Sequence, residues 1–212
     1  MKKRRLFLIG AGDMAREVES WIALDDAFQE LWEVAGFLDL DFTTIEKYPT
    51  DYKVLGVPET FEFEKDDAVL MCIAGPQIKK KIVDALNDKV EFVSFISSHA
   101  IIGKYTHIGK GVIICPNCIV STNCKIEDYV TVNCGSIIGH DALVGRYSSL
   151  MPHVDLAGHV EIGESCFLGT KSTVIAKKAI VSKTVLGAGS VVVRSLKKAG
   201  TYFGNPALVL EY

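Results

Sequence analysis

The sequence predicts a two-part chain: a Rossmann-like α/β half domain with a parallel sheet over residues 1–96, then a solenoid of stacked six-residue repeats over residues 97–212. Three observations predict it. Strand-like and helix-like segments alternate as far as Phe95, a glycine-rich turn follows the first of them, and a strict six-residue period takes over after His99.

In the first part, RRLFLIG is a short apolar strand and DMAREVESWIALDD carries Met14, Val18, Trp21 and Ile22 at helical spacing. VAGFLD is a second strand, DDAVLMCIAG a third, PQIKKKIVDALND an amphipathic helix and VEFVSFI a fourth strand. Such alternation argues for βαβ units and a parallel sheet. About 95 residues is half of a full dinucleotide fold, enough for one mononucleotide-sized site. The first turn is GAGDMA, with Gly10 and Gly12 after the strand and the helix opening at once. Backbone N–H groups there can face a phosphate, although a tight turn without a ligand uses the same residues.

The second part is set by a repeat. Stepping by six from Ile102 to Val192 meets sixteen positions, every one Ile, Val or Leu. Two residues before each stand mostly small or β-branched residues, among them Ala100, Thr106, Cys118, Cys124, Ser136, Ala142, Cys166 and Ser190. A single hexad cannot bury its aliphatic side chain, but stacked hexads form a continuous column of them. Cys115-Pro-Asn-Cys118 spells C-x-x-C, yet Cys118, Cys124 and Cys166 fill wall positions of the repeat and no second C-x-x-C completes a zinc set.

Composition narrows the field further. A net charge of −3 with scattered lysines offers no nucleic-acid stripe or membrane-binding face. The apolar run LFLIG is too short for a signal peptide, and no run reaches membrane-spanning length. Six cysteines without a secretory signal point to reduced thiols and a cytoplasmic protein.

Chemistry gathers around HDALVG, residues 140–145. Hexads of this form resemble those of the hexapeptide β-helices, in which three make one coil; on that resemblance residues eighteen apart stack, which puts Gly158 above His140 and His159 above Asp141. A glycine on a histidine leaves room and a backbone N–H beside the imidazole: a base near neutral pKa and an oxyanion donor, as acyl transfer needs. Asp141 can hold the other ring N–H. It can equally pair with His159, and His140-Asp141 can simply be two polar residues at a turn.

The hexads resemble those of the hexapeptide acyltransferases, which implies a left-handed β-helix of about five coils. The whole chain is similar to the bacterial sugar acetyltransferases that join a nucleotide-binding α/β domain to such a helix. These include the sialic acid O-acetyltransferases and the N-acetyltransferases of nucleotide-linked 4-amino sugars such as bacillosamine and perosamine. Their motif H-[DE]-x-x-[IV]-G, which carries the base, is matched by His140 to Gly145. Their G-N-V-x-I-G segment, whose first glycine lies in the acetyl-CoA site, is matched by the run from Gly158 to Gly163. The resemblance implies acetyl-CoA binding at Ser149, Gly158 and Thr170, Ser149 standing where bacillosamine enzymes carry histidine. It implies substrate binding at Gly12, Asp13, Met14, Asp39, Leu40 and Gly75, with Asp13 and Met14 replacing a usual Gly-His. Gly204-Asn205-Pro206-Ala207 resembles the family's G-x-P-A terminus.

The expected activity is therefore acetyl transfer from acetyl-CoA to a sugar amine or hydroxyl, for surface glycan synthesis, without a metal, by a homotrimer with CoA between neighbouring helices. A sialic acid O-acetyltransferase acting on a free or CMP-linked sugar is the nearest alternative. A β-helical carbonic anhydrase would draw its three zinc ligands from His107, His140, His153 and His159. A non-catalytic hexapeptide assembly protein is the remaining class.

Overall fold

The computed structural model describes residues 3–86 and 88–210. Its first part is a five-stranded sheet in the order β3-β2-β1-β4-β5, all parallel, formed by β1 (Arg4–Ile9), β2 (Trp32–Leu38), β3 (Val54–Gly56), β4 (Ala68–Met71) and β5 (Glu91–Phe92). The central strands β1 and β4 are buried over Leu6–Ile9 and Ala68–Met71, which is why both read as unbroken apolar runs. Helix α1 (Asp13–Ile22) turns Ala15, Val18 and Ile22 into the core. Helix α3 (Pro76–Leu86) buries Ile82, Val83, Leu86 and also Lys79. The short helix α2 (Asp26–Gln29) and the strand β3 carry too little periodicity to be seen in the sequence.

The predicted fourth strand, VEFVSFI, is two elements. Glu91–Phe92 closes the α/β sheet, whereas β6 (Phe95–Ile96) pairs with Ile113–Ile114 of the β-helix. Phe95 and Ile96, the last residues of the expected α/β part, thus already pair with the first coil of the β-helix.

From Ile101–Ile102 to Val191–Val192, sixteen two-residue strands alternate with turns and build a triangular parallel β-helix. Face I stacks Phe95–Ile96, Ile113–Ile114, Thr131–Val132, Ser149–Leu150, Phe167–Leu168 and Val185–Leu186. Face II runs from Ile101–Ile102 through Ile137–Ile138 to Val191–Val192, and face III from His107–Ile108 through Leu143–Val144 to Ala179–Ile180. Fourteen of the sixteen aliphatic positions are buried, Ile102 and Ile108 in the first coil being partly covered. At about 1.5–3 kcal/mol for each such side chain, this column is the main source of stability in the helix.

Every corner between the sixteen strands uses a residue in the left-handed region, including Asn123, Asp141, Tyr147, His153 and His159. Asn, Asp and His tolerate that region better than most side chains. Gly139, just before the II–III corner, is needed for a different reason. A Cβ there would lie 2.6 Å from the backbone of Ala157 and Gly158 in the next coil.

The α/β domain sits on face I. Phe28 packs edge-on against Phe95 at 5.0 Å, and the Asp25 carboxylate accepts from Ser98 N at 2.7 Å while capping α2 through Phe28 N. Burial pushes the Asp25 carboxyl up, but those two amides outweigh it and hold it below its usual range. Lys79 crosses the junction fully buried, its Nζ donating to Tyr129 O, Thr131 Oγ1 and Ser149 Oγ at 2.9, 2.9 and 3.0 Å. Among the described residues, no helix is long and apolar enough to cross a membrane.

Candidate active site

His140 and Asp141 form the turn between faces II and III, projecting outward because the hexad places only the aliphatic and wall positions inside. His140 Nδ1 lies 2.7 Å from Asp141 Oδ2, and both side chains are partly exposed. The carboxylate accepts from the Nδ1–H, which fixes the tautomer and leaves Nε2 as an acceptor. The hydrogen bond from His140, helped by Asn123 and the neighbouring His159, holds the Asp141 carboxyl below its usual range. His159 Nε2 is 3.7 Å from the same Oδ2, too long for a hydrogen bond, so Asp141 is the partner of His140. The two imidazoles meet edge to face with centroids 5.1 Å apart.

Gly158 stacks on His140 as the eighteen-residue period requires, but the space above it is not open. A Cβ at Gly158 would lie 2.6 Å from His140 Nε2 and 2.7 Å from Cε1, so the imidazole occupies the room the glycine leaves. The Gly158 carbonyl accepts from Lys177 N, whereas its N–H donates to no group among the described residues. A base and an unspent backbone donor thus stand side by side, the pairing that acyl transfer uses.

Ser149 and Thr170, both expected at the acetyl-CoA site, lie apart from His140 within one chain. Ser149 is fully buried under the α/β domain, its hydroxyl donating to Ala74 O at 2.7 Å and accepting from Lys79. It joins the domains and has no surface to offer acetyl-CoA. Thr170 is exposed but belongs to the I–II corner, across the width of face II from His140 within one chain. Of the four histidines considered for zinc, only His140 and His159 come together in the chain.

At the other end, the glycine loop runs from β1 into α1. Gly10, at φ 96°, lies so close to β4 that a Cβ would meet Ile73 Cγ1 at 2.9 Å. Gly12 has nothing within 4 Å of its Cβ position and caps α1 without a side-chain bond, leaving the helix N-terminus open to an anion. Asp39 lies beside it, and its carboxylate is already engaged by Ala11 N at 2.7 Å and Asp41 N at 3.1 Å. It braces the loop first and has lone pairs left for a ligand. Asp13 pairs with Arg16, whose guanidinium lies 3.5 Å over the Tyr48 ring. Met14 is partly buried, its side chain packed against the core. Leu40 is exposed, and Gly75 opens α3 at the end of β4.

Asn123, Lys79 and the Arg16–Tyr48 stack were not apparent from the sequence. Asn123 donates from Nδ2 to Asp141 Oδ1 at 3.4 Å, and the same eighteen-residue step that found Gly158 leads to it. Lys79 is hidden in a run of three lysines that reads as a solvated helix face.

Residues 5–86 match the family described as the PglD N-terminal domain. No curated protein matches the chain in sequence. Solved structures match nearly end to end. The PerB structure from Caulobacter crescentus, in complex with CoA and GDP-perosamine, is 26% identical with a TM-score of 0.85, covering 97% of each chain. WeeI from Acinetobacter baumannii AYE is 25% identical at a TM-score of 0.84, covering 97% of this chain and 99% of its own. The acetyltransferase domain of PglB from Neisseria gonorrhoeae FA1090, with acetyl coenzyme A, is 23% identical at 0.88 and shares the fold over 99% of this chain and 100% of its own. The chain therefore joins a PglD-type N-terminal domain to a hexapeptide-repeat β-helix, the architecture of the sugar acetyltransferases it resembles.

Proposed function

We propose that the chain transfers the acetyl group of acetyl-CoA to a nucleotide-linked sugar, with the amine of an amino sugar as the favoured acceptor. One observation carries this reading: a tautomer-fixed imidazole, His140, in contact with Gly158, whose backbone N–H is unspent. The similarity to the perosamine enzyme in complex with CoA and GDP-perosamine supports the substrate class.

In the reaction, His140 Nε2 takes a proton from the acceptor nitrogen as it attacks the thioester carbonyl. Asp141 steadies the resulting imidazolium, and the Gly158 N–H stabilises the oxyanion. Collapse of the tetrahedral adduct breaks the C–S bond, and the proton held by His140 leaves with CoA as its thiol. Gly12, Asp39 and Gly75 hold the nucleotide end.

The site is completed by further copies. The α/β domain lies on face I, while His140 lies at the corner opposite that face, so a sugar held by one chain reaches the His140 of another. Face II, which ends at the His140 corner, presents Ile101, Ile119 and Ile137 in one exposed stack, 64, 40 and 42% accessible. Burial of this stack against a second copy supports a homotrimer with three equivalent sites, in which Thr170 of a neighbouring chain is available to acetyl-CoA.

The test is free-thiol release from acetyl-CoA with a panel of UDP-, dTDP- and GDP-linked amino sugars, with CMP-linked sialic acid as the O-acetylation arm. Release should require one of the amino sugars and fall by about 10²–10⁴ in His140→Ala. Acetyl-CoA binding should persist in that variant, and Asp141→Asn should cost less. Near-normal turnover by His140→Ala would overturn the mechanism, and no release with any sugar would overturn the substrate class.

A further inference from the structure

His140, Asp141 and His159 bring one ligand atom each to within 4.8 Å of one another, the one such group among the described residues. Asp141 Oδ2 is 2.7 Å from His140 Nδ1 and 3.7 Å from His159 Nε2. A tetrahedral ion with bonds of about 2.0–2.1 Å separates its ligands by about 3.3 Å, midway between these two spacings. We propose that these three side chains form an inhibitory site for a borderline divalent transition-metal ion of the Zn²⁺ class, with water in the fourth position.

The donor set selects the ion. Two imidazoles and one carboxylate suit zinc and its neighbours, whereas calcium and magnesium take six or more oxygens or keep most of their water. All three side chains are exposed, so the ion enters from solvent without any opening of the fold. Adjacent coils fix the spacing: His140 and Asp141 share one turn, and His159 N donates to His140 O at 2.9 Å from the next.

The consequence rests on the reading of His140 as the base. Neutral His140 holds one proton, on Nδ1, facing Asp141. Metal binding takes the Nδ1 lone pair, and that proton moves to Nε2. The ring keeps its charge and its single proton, but Nε2 no longer has a lone pair for the acceptor's proton. Bound zinc thus converts the base into a donor, and acetyl transfer stops while the nucleotide site is untouched.

Zinc affinity of the full chain, measured in competition with a chromogenic chelator and without substrates, tests the site. The expected result is one ion per chain, with His159→Asn weakening affinity by more than about tenfold, at least the loss that removing an outer partner causes. His159→Asn suits the left-handed corner as well as the wild type does, so it retains the fold. His153→Asn, an exposed histidine at another corner, should bind zinc as the wild type does. Equal affinity in wild type and His159→Asn, or no bound zinc at sub-millimolar concentrations, would overturn the site. Acetyl transfer should fall with zinc occupancy and return on chelation. A chain that binds zinc through His159 yet transfers acetyl to nothing would keep the site and remove only the acetyltransferase reading.

Discussion

Asp141 and Tyr147 occupy successive corners of one coil, with φ angles of 59° and 61°. At the first, the side chains face solvent and hold a hydrogen-bonded imidazole. At the second, Tyr147 is 5% exposed, lies parallel to Tyr129 at 5.3 Å, and is roofed by α3 with Lys80 5.2 Å from its ring. Phe92 closes the same cluster edge-on to Tyr129. The repeat supplies equivalent backbone slots, and the neighbouring domain decides which become core and which stay available for chemistry.

The largest expected effect tests the open corner. Gly158→Ala would place a Cβ 2.6 Å from His140 Nε2, so the imidazole must swing away from its position over Asp141. Turnover should drop on the order of 10²-fold, the size of effect that follows an ångström of misplacement, with little change in melting temperature. Unchanged turnover would mean that the ring need not sit where it does.

The next effect is at the covered face. Burial pulls the Lys79 ammonium down to about 7, while its three acceptors hold the charged form in place. Between that value and 10.5 the unfolded chain binds more protons than the folded one, so stability rises with pH. The burial penalty is complete below pH 7 and fades as the pH climbs. Relative to Lys79→Met, the wild type should therefore gain up to a few kcal/mol between pH 7 and 10, at about 1.4 kcal/mol for each pH step of one. A constant difference across that window in urea unfolding would show that the ammonium titrates normally.

The smallest effect is in the closed corner itself. Tyr129 is 1% exposed, and its hydroxyl has no hydrogen-bond partner among the described residues. Burial pushes the phenol up to about 12, so it stays neutral. Tyr129→Phe removes an unmet polar group and should leave stability unchanged or raise it by about 1 kcal/mol. A loss of stability on thermal unfolding would reveal a partner for that hydroxyl and weaken the contrast between the corners.

The aliphatic column was fully legible from sequence because one rule, repeated sixteen times, admits no other packing. His140, Asp141 and Gly158 followed from the same rule, since stacking converts sequence spacing into contact. What the repeat cannot convey is which face another domain covers. Ser149 occupies an outward strand position near HDALVG, but it lies on face I, where Lys79 and Ala74 consume its hydroxyl. The pairing within the junction was hidden for a related reason. VEFVSFI is one apolar run, although its two halves pair with different sheets. Likewise, the lone buried charge of α3 lies within a lysine run, and charge alone does not distinguish a solvated lysine from one with three buried acceptors.

Strand pairing joins residues eighteen apart, as Ile119 joins Ile137, and this makes chain length in the β-helix a quantised property. Inserting eighteen residues adds one coil and returns every downstream side chain to its own column. Inserting six keeps all the aliphatic residues inside, so the core survives, but it rotates the downstream chain by one face. Placed between His140 and Gly158, such an insertion would leave a folded helix with a bulkier neighbour over the imidazole and the glycine at a different corner. Insertions and deletions tolerated by the fold therefore come in sixes, and those tolerated by the chemistry come in eighteens.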